Sequence, residues 1–120
     1  MGYVDDEIAS QPDRWRQAAA LVTAPGLPRP GERVAVVGCG TSWYMAMAYA
    51  GLRESLGHGE TDTFQASEFP TGRRYDRILA ISRSGTTTEV VDLLDGVAGR
   101  CPSTAVVGDP DSPAARIADD

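Results

Sequence analysis

Short apolar runs that stop at a glycine or serine, each followed by a segment with helical periodicity, constrain this 120-residue chain more than any other feature. Residues 34–37 are unbroken by any polar side chain and stop at Gly38. Residues 77–81 and 104–107 behave similarly, stopping at Ser82 and Gly108. A run without polar alternation is the pattern of a strand covered on both faces. Between these runs, residues 42–56 read as a helix closed by Gly57. Residues 87–98 read as an amphipathic helix with Val90, Val91, Leu94 and Val97 on one side and Gly99 after it. Residues 61–65 form a weaker, alternating strand, and the segment 111–113 opens a last short helix over 114–118. Strands exchanging regularly with helices require right-handed crossovers, hence a parallel sheet with helices on both faces. The expected fold class is α/β, a doubly wound parallel sheet with four strands visible. In such sheets ligands lie beyond the carboxyl ends of the strands, near the switch of strand order. The loops after Val37 and Ile81 are therefore where a site is expected.

Ahead of this pattern, residues 5–11 read as a helical turn. Pro12 suits the first position of a second helix running to about Thr23, with Trp15, Ala18, Ala19 and Val22 on one face. Residues 25–31 are a Pro/Gly connector. The organisation is a helical lead-in over 1–31 and one α/β domain over 32–120, without internal repeat or low-complexity tract.

All 11 basic residues are arginine. The absence of lysine excludes a Walker-type phosphate loop and Schiff-base chemistry. With 17 acidic residues and a net charge of −6, a nucleic-acid surface is not expected. A single histidine, His58, excludes a multi-histidine metal site, and neither a metal nor an organic cofactor is expected. Residues 43–52 are apolar but too short for a bilayer, which needs about 20 residues. Cys39 and Cys101 lack a C-x-x-C spacing, and no signal peptide is evident in residues 1–10. Reduced, packed thiols in a cytoplasmic protein are the expectation.

The first loop, Gly38-Cys39-Gly40-Thr41-Ser42, has glycines that permit a tight turn and hydroxyls where a helix begins. It departs from the dinucleotide fingerprint because Trp43 stands where the third glycine would allow close helix–strand packing. The second loop, from Ser82 to Thr88, carries five hydroxyls, the Arg83 guanidinium and Gly85. A phosphate dianion needs many donors and no competing carboxylate, which the free N–H groups of a helix N-terminus and nearby hydroxyls supply. Arg83 adds charge-assisted bonds. The alternative is a plain capping box formed by Thr86 and Glu89.

Together these loops resemble the sugar isomerase (SIS) domain family, the phosphosugar module of glucosamine-6-phosphate synthase, of tagatose-6-phosphate isomerase-like proteins and of sugar-phosphate-sensing regulators. Glu7-Ile8 with Gln11-Pro12, and Ala66-Ser67-Glu68-Phe69, resemble further family segments in register. The resemblance implies a flavodoxin-like SIS fold whose fifth strand is missing at the C-terminus. It also implies phosphate binding by Ser42, Ser82, Arg83, Ser84 and Thr87, with loop support from Gly38, Gly40, Thr41 and Gly85. Arg83 and Thr86 stand where the synthase carries Gln and Glu, which favours the isomerase-like relatives.

The family commonly has two tandem copies that dimerise, with the proton-transferring glutamate and ring-opening histidine in the second copy. The resemblance therefore implies a first copy, truncated before its last strand, that binds a hexose or amino-hexose phosphate as the N-terminal half of an aldose–ketose isomerase. A non-catalytic sugar-phosphate sensor is the alternative. Within this chain the catalytic base is unassigned. Glu68 is the candidate, with bracing of the next segment as its other reading, and Cys39 has no histidine but His58 to activate it. The apolar helix around 43–52 needs cover on both sides, by the sheet and by a second SIS unit in cis or in a homodimer.

Overall fold

Val34, Ala35, Val36 and Val37 are all completely buried, because the strand they form lies between two others and under helices on both faces. The computed structural model describes residues 3–120, and at Val22 the backbone alone. In chain order it contains α1 (Tyr3–Ala19), β1 (Val34–Gly38), α2 (Thr41–Ser55), β2 (Thr61–Gln65), β3 (Arg77–Ser82), α3 (Thr88–Val97), β4 (Ser103–Val107) and α4 (Pro113–Ile117). Short 3₁₀ turns follow α1 at Ala20–Thr23 and β2 at Ala66–Glu68. All strand pairs are parallel, in the order β2-β1-β3-β4. The doubly wound α/β expectation is borne out.

The two faces of β1 feed two cores. Val34 and Val36 pack with Leu79 of β3 and Ala46 of α2, flanked by Tyr49 and Ile81. Ala35 and Val37 pack with Ile78 and Ala80, under Val90, Leu94 and Val97 of α3 and Ala114 of α4. Alternation thus divides one unbroken apolar run between both sides of the sheet. The end of α2 is closed as its glycine implies, with Gly57 N–H donating to the Glu54 carbonyl at 2.9 Å and His58 N–H to that of Arg53 at 3.1 Å.

The final residues touch the free edge of β4. The Asp120 N–H donates to the Ser103 carbonyl at 3.1 Å, and its carbonyl accepts from Ala105 N–H at 3.0 Å. That is the pairing of a parallel ladder along the outer edge of β4.

The lead-in differs from expectation. Residues 3–19 form one helix with Pro12 inside it, not a turn followed by a helix opened by Pro12. A proline there removes the bond to the Ile8 carbonyl, which is tolerable because no residue of α1 is buried and water can serve that carbonyl. The Ser10 hydroxyl donates to the Glu7 carbonyl at 2.8 Å, satisfying a neighbour. The expected apolar face does not pack on the domain: Trp15, Ala18 and Ala19 are exposed, and the Val22 side chain lies outside the described residues.

The connector is instead held from below the sheet. Arg53, 4% exposed, donates to the Arg29 carbonyl at 2.7 Å, the Glu32 carbonyl at 3.0 Å and the Thr61 hydroxyl at 2.9 Å. Arg77 bonds the Thr104 hydroxyl at 3.1 Å and pairs with Glu32 at 3.4 Å. The Thr104 hydroxyl in turn donates to the Gly26 carbonyl. Among the described residues no helix is long and apolar enough to cross a membrane.

Candidate functional site

Because β1 and β3 are neighbours while α2 and α3 leave on opposite faces, the loops that follow them meet at the switch of strand order. The loop after β4 joins them. Together they border a cavity of about 770 Å³ lined by Ser42, Arg83, Ser84 and Thr87, with Cys39 and Thr41 on one side and Val107 and Gly108 on the other. Four of the five phosphate-binding residues expected from the resemblance line this cavity. Ser82 does not: it is 3% exposed and works inside the loop. Its hydroxyl accepts from Gly85 N–H at 3.0 Å and stands 3.4 Å from the Thr87 hydroxyl.

Close backbone approach fixes each loop. A Cβ on Gly38 would lie 2.8 Å from the Ser42 carbonyl carbon and 3.0 Å from the Trp43 nitrogen, so glycine lets the first turn of α2 sit on the end of β1. The close helix–strand contact denied at Trp43 is thus supplied five residues earlier. Gly85 has φ +69° and its missing Cβ would overlap Ser112 of the α4 cap. Its carbonyl accepts from Ala114 N–H at 3.0 Å, while Arg83 accepts on its carbonyl from Gly108 N–H at 2.9 Å. The backbone of the second loop is therefore anchored to the β4–α4 segment, and its Arg83, Ser84 and Thr87 side chains line the cavity.

The capping-box reading of Thr86 and Glu89 is overturned. The N-cap of α3 is Thr87, and no side chain caps the helix. The Thr86 hydroxyl instead donates to the Ser84 hydroxyl at 2.9 Å, and Thr86 N–H approaches the same oxygen at 3.2 Å. The first-turn amides of α3 consequently lack a side-chain acceptor at the mouth of the cavity, where the helix dipole favours an anion. Ser84 accepts twice, so its own proton remains to be donated. The Arg83 side chain is exposed and, among the described residues, has no hydrogen bond or ion pair.

The remaining candidates lie elsewhere. Glu68 ends the 3₁₀ turn after β2, exposed and not in the cavity wall, and its carboxylate braces nothing among the described residues. His58 is exposed at the opposite edge of the sheet, beside the start of β2. Cys39 packs against the core beneath the cavity and so has no imidazole near it. Cys101 donates its thiol proton to the Tyr75 carbonyl at 3.4 Å, and burial pushes its pKa up. The contribution of Gly108 was missed in the sequence, although a strand run ending at glycine is the signal that marked Gly38.

No family model matches the chain. It is 38% identical over 91 residues to the isomerizing glutamine–fructose-6-phosphate aminotransferase of Methanothermobacter thermautotrophicus, a match covering 72% of this chain and 15% of that one. The chain thus spans about one seventh of that relative's length. A crystal structure of a hypothetical protein superposes with a TM-score of 0.75 at 26% identity, over 95% of this chain and 62% of its own. A proposed phosphosugar isomerase of Bacillus subtilis superposes with a TM-score of 0.63 at 25% identity, over 87% and 34%.

Proposed function

We propose that this chain is a sugar isomerase (SIS) domain and that it binds a hexose or amino-hexose phosphate by its phosphoryl group in the cavity beyond β1 and β3. The observation that carries the reading is an uncapped α3 N-terminus facing an unpaired Arg83 and the hydroxyls of Ser42, Ser84 and Thr87 around one cavity. Phosphate oxygens accept from hydroxyls, backbone amides and the guanidinium, each replacing water at an anion without a competing carboxylate in the wall. Ser82, Gly85 and Gly38 hold the cradle in shape. The sugar then projects over Met45 and Val106 at the rim.

In this reading the domain is the first SIS unit of an aldose–ketose sugar-phosphate isomerase acting in the cytoplasm, without metal or organic cofactor. Moving a proton between sugar carbons 1 and 2 needs a base within about 3 Å of it. Glu68 stands outside the cavity, so the base comes from a second SIS unit, in cis or in a homodimer. The face of α2 turned from the sheet supports such a partner, because Tyr44, Met45 and Leu52 are 63%, 59% and 60% exposed. Light scattering at high concentration is expected to show association, and a strict monomer would remove the partner from the reading. The isomerase relatives favour turnover over a sensor.

Calorimetry with glucose 6-phosphate, fructose 6-phosphate and glucosamine 6-phosphate tests the site. At least one binds, and the unphosphorylated sugar does not. Ser84→Ala weakens binding by about 1–3 kcal/mol, the cost of leaving an anion short of one donor. Silence with all three phosphates, or unchanged affinity in both Ser84→Ala and Arg83→Ala, would defeat the assignment.

A further inference from the structure

Two features far from the phosphate cavity have no role in it and fit each other. The first is α1. Val4, Ile8, Pro12, Trp15 and Ala19 recur at helical spacing and form one apolar stripe, along which Val4, Ile8 and Trp15 are 62%, 57% and 66% exposed. Glu7 flanks the stripe near its start, Asp5 lies on the other flank, and Arg14 stands about two turns on from Glu7 along the same edge. The second is a groove of about 630 Å³ between α3 and the β2–β3 connection, with Phe69, Tyr75, Leu93 and Val97 in its walls and Arg74 and Arg100 at its rim. Among the described residues neither guanidinium has a hydrogen bond or ion pair. The neighbouring Arg73 is engaged, 3.8 Å from Asp62 and stacked over Phe64.

We propose that the groove receives α1 of a second copy of this chain, reciprocally, with its apolar stripe on the groove floor and its acidic first turns against Arg74 and Arg100. Charge fixes the direction. Arg74 and Arg100 both lie at the amino-terminal edge of the sheet, and Asp92, which also lines the groove, stands about two turns before Arg100. Glu7 and Arg14 are separated by a similar length, so the pairs Glu7–Arg100 and Arg14–Asp92 form together in one orientation and clash in the reverse one.

A second copy is the occupant because the chain cannot easily bring its own helix there. The connector is pinned at Gly26, Arg29, Gly31 and Glu32, and the turn Ala20–Thr23 continues α1 without a break. The molecule measures 51 × 32 × 24 Å, and α1 is about 26 Å long, a projecting arm exposing large apolar side chains. Reciprocal exchange of two such arms closes a two-fold dimer and covers both stripes.

Sedimentation equilibrium across a concentration series tests this. The chain is expected to associate reversibly. Arg74→Glu with Arg100→Glu, and separately Glu7→Arg, each raise the dissociation constant about tenfold or more, and the three changes combined recover most of the loss. All these positions are exposed, so far-ultraviolet circular dichroism stays unchanged. A chain that is monomeric at every concentration overturns the proposal. So does a dimer indifferent to both charge reversals, which would assign association to the α2 face, or a combined variant that fails to recover. None of these outcomes bears on sugar-phosphate binding, since Arg74 and Arg100 lie outside that cavity.

Discussion

Replacing Arg53 by methionine lowers the unfolding free energy by about 3 kcal/mol, with an unchanged denaturant slope in urea. Methionine keeps much of the stem volume but donates nothing. The Glu32 carbonyl and the Thr61 hydroxyl then lose their donor, and the Arg29 carbonyl keeps only the Glu32 N–H at 3.1 Å. Each buried acceptor left unmet costs about 1–3 kcal/mol. Against this, removing the guanidinium relieves the desolvation of a charge that has no carboxylate bonded to it, which trims the total. The acceptors win because two separate segments depend on one side chain. The connector should also become the first site of proteolytic cutting in the variant. A loss under about 1 kcal/mol would mean that water replaces the guanidinium freely.

Gly85→Ala is expected to lose more than tenfold in sugar-phosphate affinity and about 3 kcal/mol in stability. At φ +69° any L side chain is strained by about 1–2 kcal/mol. The added methyl group also overlaps the Cβ and hydroxyl of Ser112, which is 2% exposed and caps α4 by accepting from Ala115 N–H at 3.4 Å. Either the loop or α4 must move. A shift of the loop takes Ser84 and Thr87 from their positions around the cavity. Urea unfolding and calorimetry on the same preparation separate the two effects. Full affinity in a stable variant would show that the cradle does not depend on this turn.

Much of the molecule was legible in order. Residues 34–37 carry no polar side chain, and the buried, central position of β1 follows from that alone. The glycines at 38 and 85 mark loops where backbone must pass close to backbone, and both lie in the site. The lead-in was less legible. Pro12 argues locally for a helix start, and only the absence of buried residues in α1, where water can meet the Ile8 carbonyl, lets the helix run through it. Trp15, Ala18, Ala19 and Val22 read as one apolar helix face, yet a stripe in sequence does not say what will cover it. Arg53 gives no sign of burial, because its acceptors, two carbonyls and a hydroxyl, lie 8 to 24 residues away in the chain.

Local pattern by itself determined the strands, their intervening helices and the hydroxyl-rich loop, because periodicity and side-chain type act between residues a few positions apart. Tertiary structure alone decided that β1 lies between β2 and β3, that the β4–α4 segment anchors the Ser82–Thr87 loop, and that the loops after β1, β3 and β4 meet around one cavity. Those outcomes depend on contacts between distant segments, whose geometry exists only once the sheet has assembled.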